Sequence, residues 1–255
     1  MEEIGKYGRI DVRCHKNIKA MAAAGQDVLG IYIGIPSPYM AEMAALAGFD
    51  YIMIDMEHNV YNPELVCHMV RAADACGIAV AARIAQRSLM LPVLDFGMIG
   101  MKVPHVHNAK QAKDLVNICK FAPLGIRGFS GGARAQRYSL MQTTDYKKEA
   151  DDEVFLMVMI EDREGIDNMD EILAVPGIDY VAIGPGDVSQ ALGLFGQINH
   201  PDVLSVIDKV QKTADKYGVK YPGNGAPLII ADDRGLVLNA LTDRVKQYRE
   251  KSRAK

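Results

Sequence analysis

Short apolar runs rich in β-branched residues alternate along the chain with longer segments whose apolar residues recur every three or four positions. Gly, Pro or Asp stands at the joints. This pattern predicts strand followed by helix, repeatedly. Residues 28–34 (VLGIYIG) predict a first strand and 38–47 its helix, stopped at Gly48. A second strand is expected at 51–55 (YIMID) with a helix at 63–76, and a third at 78–83 (IAVAAR) with a short helix near 88–96. A fourth at 100–104 precedes a helix at 109–121. Strands five (154–160, VFLMVMI) and six (180–184, YVAIG) precede helices at 165–175 and 201–217. Strands this uniformly apolar are buried on both faces, which implies a parallel sheet covered by helices. Repeated βα units within 255 residues favour one α/β domain over the whole chain, 1–255, folded as a (β/α)₈ TIM barrel.

Two stretches break the rhythm. Residues 122–153 contain PLGIRGFSGGARAQRY, and a loop of that length is usually functional or mobile. Residues 219–226 and 228–232 read as strands seven and eight, yet a parallel crossover needs about a dozen residues. The seventh βα unit is therefore expected to be irregular or shortened. Residues 235–255 read as a basic amphipathic helix that covers the barrel or packs on a neighbouring subunit.

Composition narrows the function classes. Hydrophobic residues make up 49% and charged residues 24%, with a net charge of −3, which excludes a disordered chain and a strongly basic nucleic-acid binder. No apolar run is long enough to span a bilayer, and the first twenty residues lack the apolar stretch of a signal peptide. The expectation is a cytoplasmic protein with no membrane or nucleic-acid partner. Cys14, Cys67, Cys76 and Cys119 have no CxxC spacing and read as free thiols.

In a barrel the carboxyl ends of the strands converge on one face, and polar residues there are candidates for chemistry. Strand two ends in Asp55-Met56-Glu57-His58, strand three in Arg83, strand five in Glu161-Asp162, and strand six in GPGD with Asp187. Glu161 and Asp187 are one βαβ repeat apart, so they stand on adjacent strands. Two such carboxylates repel unless a cation lies between them, and hard divalent ions take one or two carboxylates; the other reading pairs one of them with Arg163. A lone His more often serves the fold, but its place at a strand exit makes His58 a candidate for chemistry, and Arg83 needs either Asp55 or a bound carboxylate as partner. Asp95 could fix the tautomer of His58, although spacing alone does not establish that. The turn around Gly186 and Asp187 offers backbone N–H groups to a carboxylate. The remaining histidines do not fall together at strand ends; His105 and His107 are spaced as a metal pair could be, but both are expected on the loop after strand four.

The segments GFDYIMIDMEHN, VAARI, LDFGMIGMKVPHV, APLGIRG, MIED and YVAIGPGDVSQALG, in this order over about residues 30–217, resemble the HpcH/HpaI aldolase family. The resemblance implies a (β/α)₈ barrel, a divalent cation (Mg²⁺, Mn²⁺ or Co²⁺) and retro-aldol cleavage of a 4-hydroxy-2-oxo acid to pyruvate and an aldehyde. It implies Glu161 and Asp187 as metal ligands, His58 as base and Asp95 as its dyad partner. Arg83 would bind the keto acid, supported by Asp55, and the backbone at Gly186 and Asp187 would contact the pyruvate carboxylate. It also implies a homo-oligomer, a hexamer built as a trimer of dimers with helices exchanged between paired subunits. Met159 departs from the family, which often carries Gln there, and the chain is short by about one helix between Gly225 and Leu228. Three rivals stand beside this reading. They are a Schiff-base aldolase using Lys102, a coenzyme A thioester lyase of the citrate-lyase type, and a non-catalytic homologue with a vestigial site.

Overall fold

A computed structural model describes residues 11–13 and 15–253; Cys14 and the first ten residues, with the expectations drawn from them, lie outside the described residues. The strands are β1 (Leu29–Ile33), β2 (Tyr51–Asp55), β3 (Ala79–Arg83), β4 (Gly100–Val103), β5 (Phe155–Met159), β6 (Tyr180–Ala182), β7 (Tyr221–Pro222), β8 (Gly225–Ala226) and β9 (Leu228–Asp232). The helices are α1 (Ile18–Ala23), α2 (Pro38–Ala47), α3 (Pro63–Ala75), α4 (Arg87–Phe96), α5 (Ala109–Cys119), α6 (Thr143–Glu153), α7 (Arg163–Asp167), α8 (Met169–Leu173), α9 (Pro185–Ala191), α10 (Pro201–Tyr217) and α11 (Asp233–Arg253). Seven strands form one sheet in the order β6-β5-β4-β3-β2-β1-β9, and every pair in it is parallel.

Alternation along each strand sorts the sheet into two cores. Ile31, Ile33, Ile52, Ile54, Val80, Val158 and Val181 face the helices. Tyr51, Met53, Ala81, Phe155, Met157, Tyr180 and Ala182 fill the opposite side and meet one another, so the sheet is curled around them. Space there is tight: a Cβ on Gly100 would lie 2.0 Å from the Phe155 ring, so glycine is what lets that ring fill the interior. Ile18 and Ala22 of α1, a helix the sequence reading missed, join this inner cluster. The inward parity includes Asp55 and Arg83, the last residues of β2 and β3, Lys102 near the end of β4 and, two residues past β5, Glu161, which places the candidate chemistry at the carboxyl ends of the strands.

The chain from 219 to 232 is irregular, with no helix between β7, β8 and β9. Where one strand was read at 219–226, Gly223 and Gly225 take positive φ (89° and 77°) and break it into β7 and β8. A bridge from Tyr180 to Lys220 connects this piece to β6, and one residue separates β8 from β9. The expected excursion at 122–153 contains a 3₁₀ turn, Arg134–Gln136, and the whole of α6. The helix expected at 165–175 is split at Asn168, and GPGD opens α9 instead of forming a free turn. The C-terminal helix does not cover its own sheet: every residue from 234 to 252 is exposed. Val237, Leu241, Val245 and Tyr248, three or four apart, therefore form an uncovered apolar stripe.

Candidate active site

Register sets Asp55, Arg83 and Lys102 side by side on β2, β3 and β4. The Arg83 guanidinium grips Asp55 with two hydrogen bonds, Nε to Oδ1 at 2.9 Å and Nη2 to Oδ2 at 2.8 Å. Asn59 Nδ2 donates to Asp55 Oδ2 at 3.0 Å. Burial opposes ionisation of Asp55, but the Arg83 guanidinium and the amides of His58 and Glu57 overcome it and hold the carboxyl below its usual range. The Arg83 guanidinium also stacks 4.9 Å from the centre of the Tyr32 ring. Lys102 Nζ donates to the Tyr32 hydroxyl at 2.8 Å, and burial, with Arg83 nearby, pushes the amine down to about 8.

Glu57 links this row to the imidazoles. Its carboxylate stands 3.3 Å from Arg83 Nε, 3.5 Å from His58 Nε2 and 3.8 Å from His105 Nε2. His58 itself is exposed at the mouth.

Glu161 and Asp187 come together around Gly184. A Cβ on Gly184 would lie 2.4 Å from Glu161 Oε2 and 3.2 Å from Asp187 Oδ2, so both carboxylates border the space a side chain would fill. Glu161 is 2% exposed; its Oε1 accepts the His105 amide at 3.1 Å, while Oε2 has no partner among the described residues. Burial, reinforced by Asp187 and Glu57, pushes its carboxyl up to about 7 despite the His105 amide. The terminal methyl of Met159 borders the same space, 3.5 Å from that Cβ, and adds no hydrogen-bond donor. Asp187 is exposed in the first turn of α9, and no acceptor for its amide or that of Gly186 occurs among the described residues.

The sign of the Glu161 shift makes a prediction. Its carboxyl has an ordinary value of 4.5 and a folded value of about 7, so between them the folded chain holds the extra proton. In chelator, the stability it contributes is complete below pH 4.5 and is lost as pH rises through about 7, by roughly 3 kcal/mol. Urea unfolding at pH 5 and pH 8 should show that loss in the parent chain and its removal in Glu161→Gln; parallel curves for the two proteins would contradict it.

Asp95 corrects an expectation. It lies in the last turn of α4, before β4 begins, and therefore at the opposite end of the sheet from His58. Its Oδ1 accepts Arg127 Nη2 at 2.8 Å, and among the described residues the carboxylate within ion-pair reach of His58 is Glu57. Within one chain, Asp95 does not orient His58. The sequence reading also passed over Tyr32 and Asn59, and it placed Glu57 at a strand end without giving it a role. Tyr32 was accessible to it, because period-two alternation places it on the inward side of β1.

Comparison with known proteins adds the following. A family model described as HpcH/HpaI aldolase/citrate lyase matches residues 28–224. The chain is 38% identical over 188 residues to the 2-keto-3-deoxy-L-rhamnonate aldolase of Klebsiella pneumoniae, covering 72% of this chain and 70% of that protein. It is 36% identical over 219 residues to the hydroxypyruvate/pyruvate aldolase of Deinococcus radiodurans, covering 85% and 76%. The crystal structure of an HpcH/HpaI aldolase from Desulfitobacterium hafniense superposes with a TM-score of 0.83 at 31% identity, covering 91% of this chain and 96% of that one.

Proposed function

The chain belongs to the HpcH/HpaI aldolase/citrate lyase family, and from that premise we propose that it splits a 4-hydroxy-2-oxo acid into pyruvate and an aldehyde with the help of a divalent cation. A carbon–carbon lyase is what its aldolase relatives support. The observation that carries the fuller reading is the pair Glu161 and Asp187 around Gly184, with Glu161 Oε2 buried and unpartnered. A buried carboxylate oxygen without a donor, a second carboxylate beside it and an open glycine edge suit a divalent cation held through oxygen, Mg²⁺ or Mn²⁺ before the borderline Co²⁺. When bound, that cation supplies Lewis-acid polarisation of the 2-oxo group.

The chain's own residues supply the rest. Arg83, fixed by Asp55 through Nε and Nη2, keeps its other N–H groups for the oxygen that becomes an enolate. The amides of Gly186 and Asp187 receive the substrate carboxylate. His58 takes the 4-hydroxyl proton as the C3–C4 bond breaks. The O–H electrons become the carbonyl of the leaving aldehyde, the C3–C4 pair passes into the enolate, and a proton returned to C3 completes pyruvate. Glu57, beside both His58 and Arg83, holds the imidazole over the site.

The sheet is read as a (β/α)₈ barrel whose seventh unit lacks its helix. The uncovered stripe on α11 supports a homo-oligomer, with the hexamer as its form, in which this helix lies on a second copy. Free Cys67, Cys76 and Cys119 suit a reducing cytoplasm. Asp95 serves His58 only from another copy. Chains carrying His58→Ala and chains carrying Asp95→Ala, co-expressed and co-purified as mixed assemblies, should recover activity that each variant lacks; an inert mixture would remove Asp95 from the site.

A second reading has a specific observation behind it. Lys102 faces inward with its amine lowered to about 8, which is what an imine-forming lysine requires. Its hydrogen bond to Tyr32 and its place beside Arg83 equally suit an electrostatic role. Pyruvate release assayed across a panel of 4-hydroxy-2-oxo acids, with and without Mg²⁺, Mn²⁺ or Co²⁺, tests the main reading. It requires release from at least one acid that stops in EDTA.

A further inference from the structure

The loop after β4 and the start of α7 bring together three side chains of ligand type that the aldol chemistry does not use. His105, His107 and Asp162 each offer an atom, and these atoms all lie within 4.8 Å of one another. His107 Nε2 stands 2.6 Å from Asp162 Oδ2, and His105 Nδ1 stands 3.4 Å from the same oxygen. All three side chains are partly exposed, so the group opens to the mouth.

The backbone holds each of them in place. Asp162 Oδ1 accepts the Gly165 amide at 2.8 Å as the cap of α7, which leaves Oδ2 for the two rings. A Cβ on Gly165 would lie 2.7 Å from the Val106 carbonyl oxygen, so glycine there lets α7 close against the His105–His107 loop. His105 has φ 52°, a conformation costly for a residue with a side chain, and its amide is tied to Glu161. His107 is fixed through its amide to Gln111 Oε1 at 3.0 Å and through its carbonyl, which accepts Asn168 Nδ2 at 2.9 Å. Its other ring nitrogen faces Glu164 at 3.8 Å, and a carboxylate on the far nitrogen is the usual partner of a metal-binding histidine.

The geometry points to a second cation site that adjoins the Glu161–Asp187 pair, with His105 Nδ1 3.8 Å from Glu161 Oε1, and is selective for a borderline ion, Zn²⁺ above all. Two imidazoles and one carboxylate leave an open coordination position. Imidazole nitrogen suits Zn²⁺ and Co²⁺, whereas carboxylate oxygens suit Mg²⁺ and Mn²⁺. The inference goes beyond the aldolase reading and does not depend on it.

The test uses Co²⁺ as a spectroscopic stand-in for Zn²⁺. The full-length protein is stripped with chelator, dialysed and saturated with Mg²⁺, and Co²⁺ is then added and followed by visible absorption. The expected result is one equivalent of Co²⁺ with the intense bands of nitrogen ligation at low coordination number, displaced by one equivalent of Zn²⁺ but not by further Mg²⁺. His107→Asn should weaken that binding about 100-fold. Asp162→Asn, which keeps the helix cap and so keeps the fold, should weaken it as well. Asp187→Asn should leave it intact, which separates this site from the carboxylate pair. Displacement by Mg²⁺, or equal Co²⁺ binding in Asp162→Asn and the parent, would overturn the proposal.

Discussion

Glu161→Gln is expected to lower pyruvate release by at least about 10³-fold while making the cation-free protein more stable at pH 8. The two effects run in opposite directions for one physical reason. Above about pH 7 the parent carboxylate is charged and buried with Oε2 unpartnered, a costly arrangement that a cation relieves. The amide keeps the volume and can still accept the His105 amide at the position of Oε1, but it loses the charge. A residue serving only the fold would lose stability on substitution and lose activity in proportion. Steady-state kinetics in Mn²⁺ together with urea unfolding in EDTA check both halves. Activity within tenfold of the parent would remove Glu161 from the site.

Arg83→Lys should reduce kcat by about 10²–10³ with a smaller change in KM, because the guanidinium acts on charge that develops during cleavage. A lysine keeps the charge but cannot make two parallel bonds to Asp55 while also facing the substrate. Arg83→Ala carries a second penalty. It leaves Asp55, 1% exposed, without its cation, which should cost about 3–5 kcal/mol of stability. Asn59 and the amides of Glu57 and His58 remain as donors to Asp55 and keep the loss from being larger. Arg83→Ala combined with Asp55→Asn should regain most of the stability and none of the activity. Kinetics and thermal unfolding on the three variants separate the structural share from the chemical one.

The site was legible wherever it follows from strand periodicity. Inward alternation and strand-end placement brought Asp55 and Arg83 to neighbouring positions, and one βαβ repeat brought Glu161 beside Asp187. The sequence reading failed where tertiary contacts decide. Asp95 sits at a helix end whose partner, Arg127, comes from the Gly-rich stretch 32 residues later, and no local period reports that pairing. The helix α6 carries few apolar residues and so gave a weak periodic signal; it is held by Tyr146 and Ala150 packing into the core. The apolar stripe on α11 was visible in the sequence, but not that its own sheet would leave it bare. Nor did the sequence show that the positive φ of His105 would turn its loop toward Glu161.

The claim that a cation held by two carboxylates does the work, rather than an imine on Lys102, is tested most directly by borohydride trapping. The enzyme is incubated with pyruvate and borohydride, its mass is measured, and its turnover is then compared in EDTA and after Mn²⁺ is restored. The account predicts an unchanged mass, no turnover in EDTA and full recovery with Mn²⁺. A pyruvate adduct on Lys102 with undiminished turnover in EDTA would contradict it.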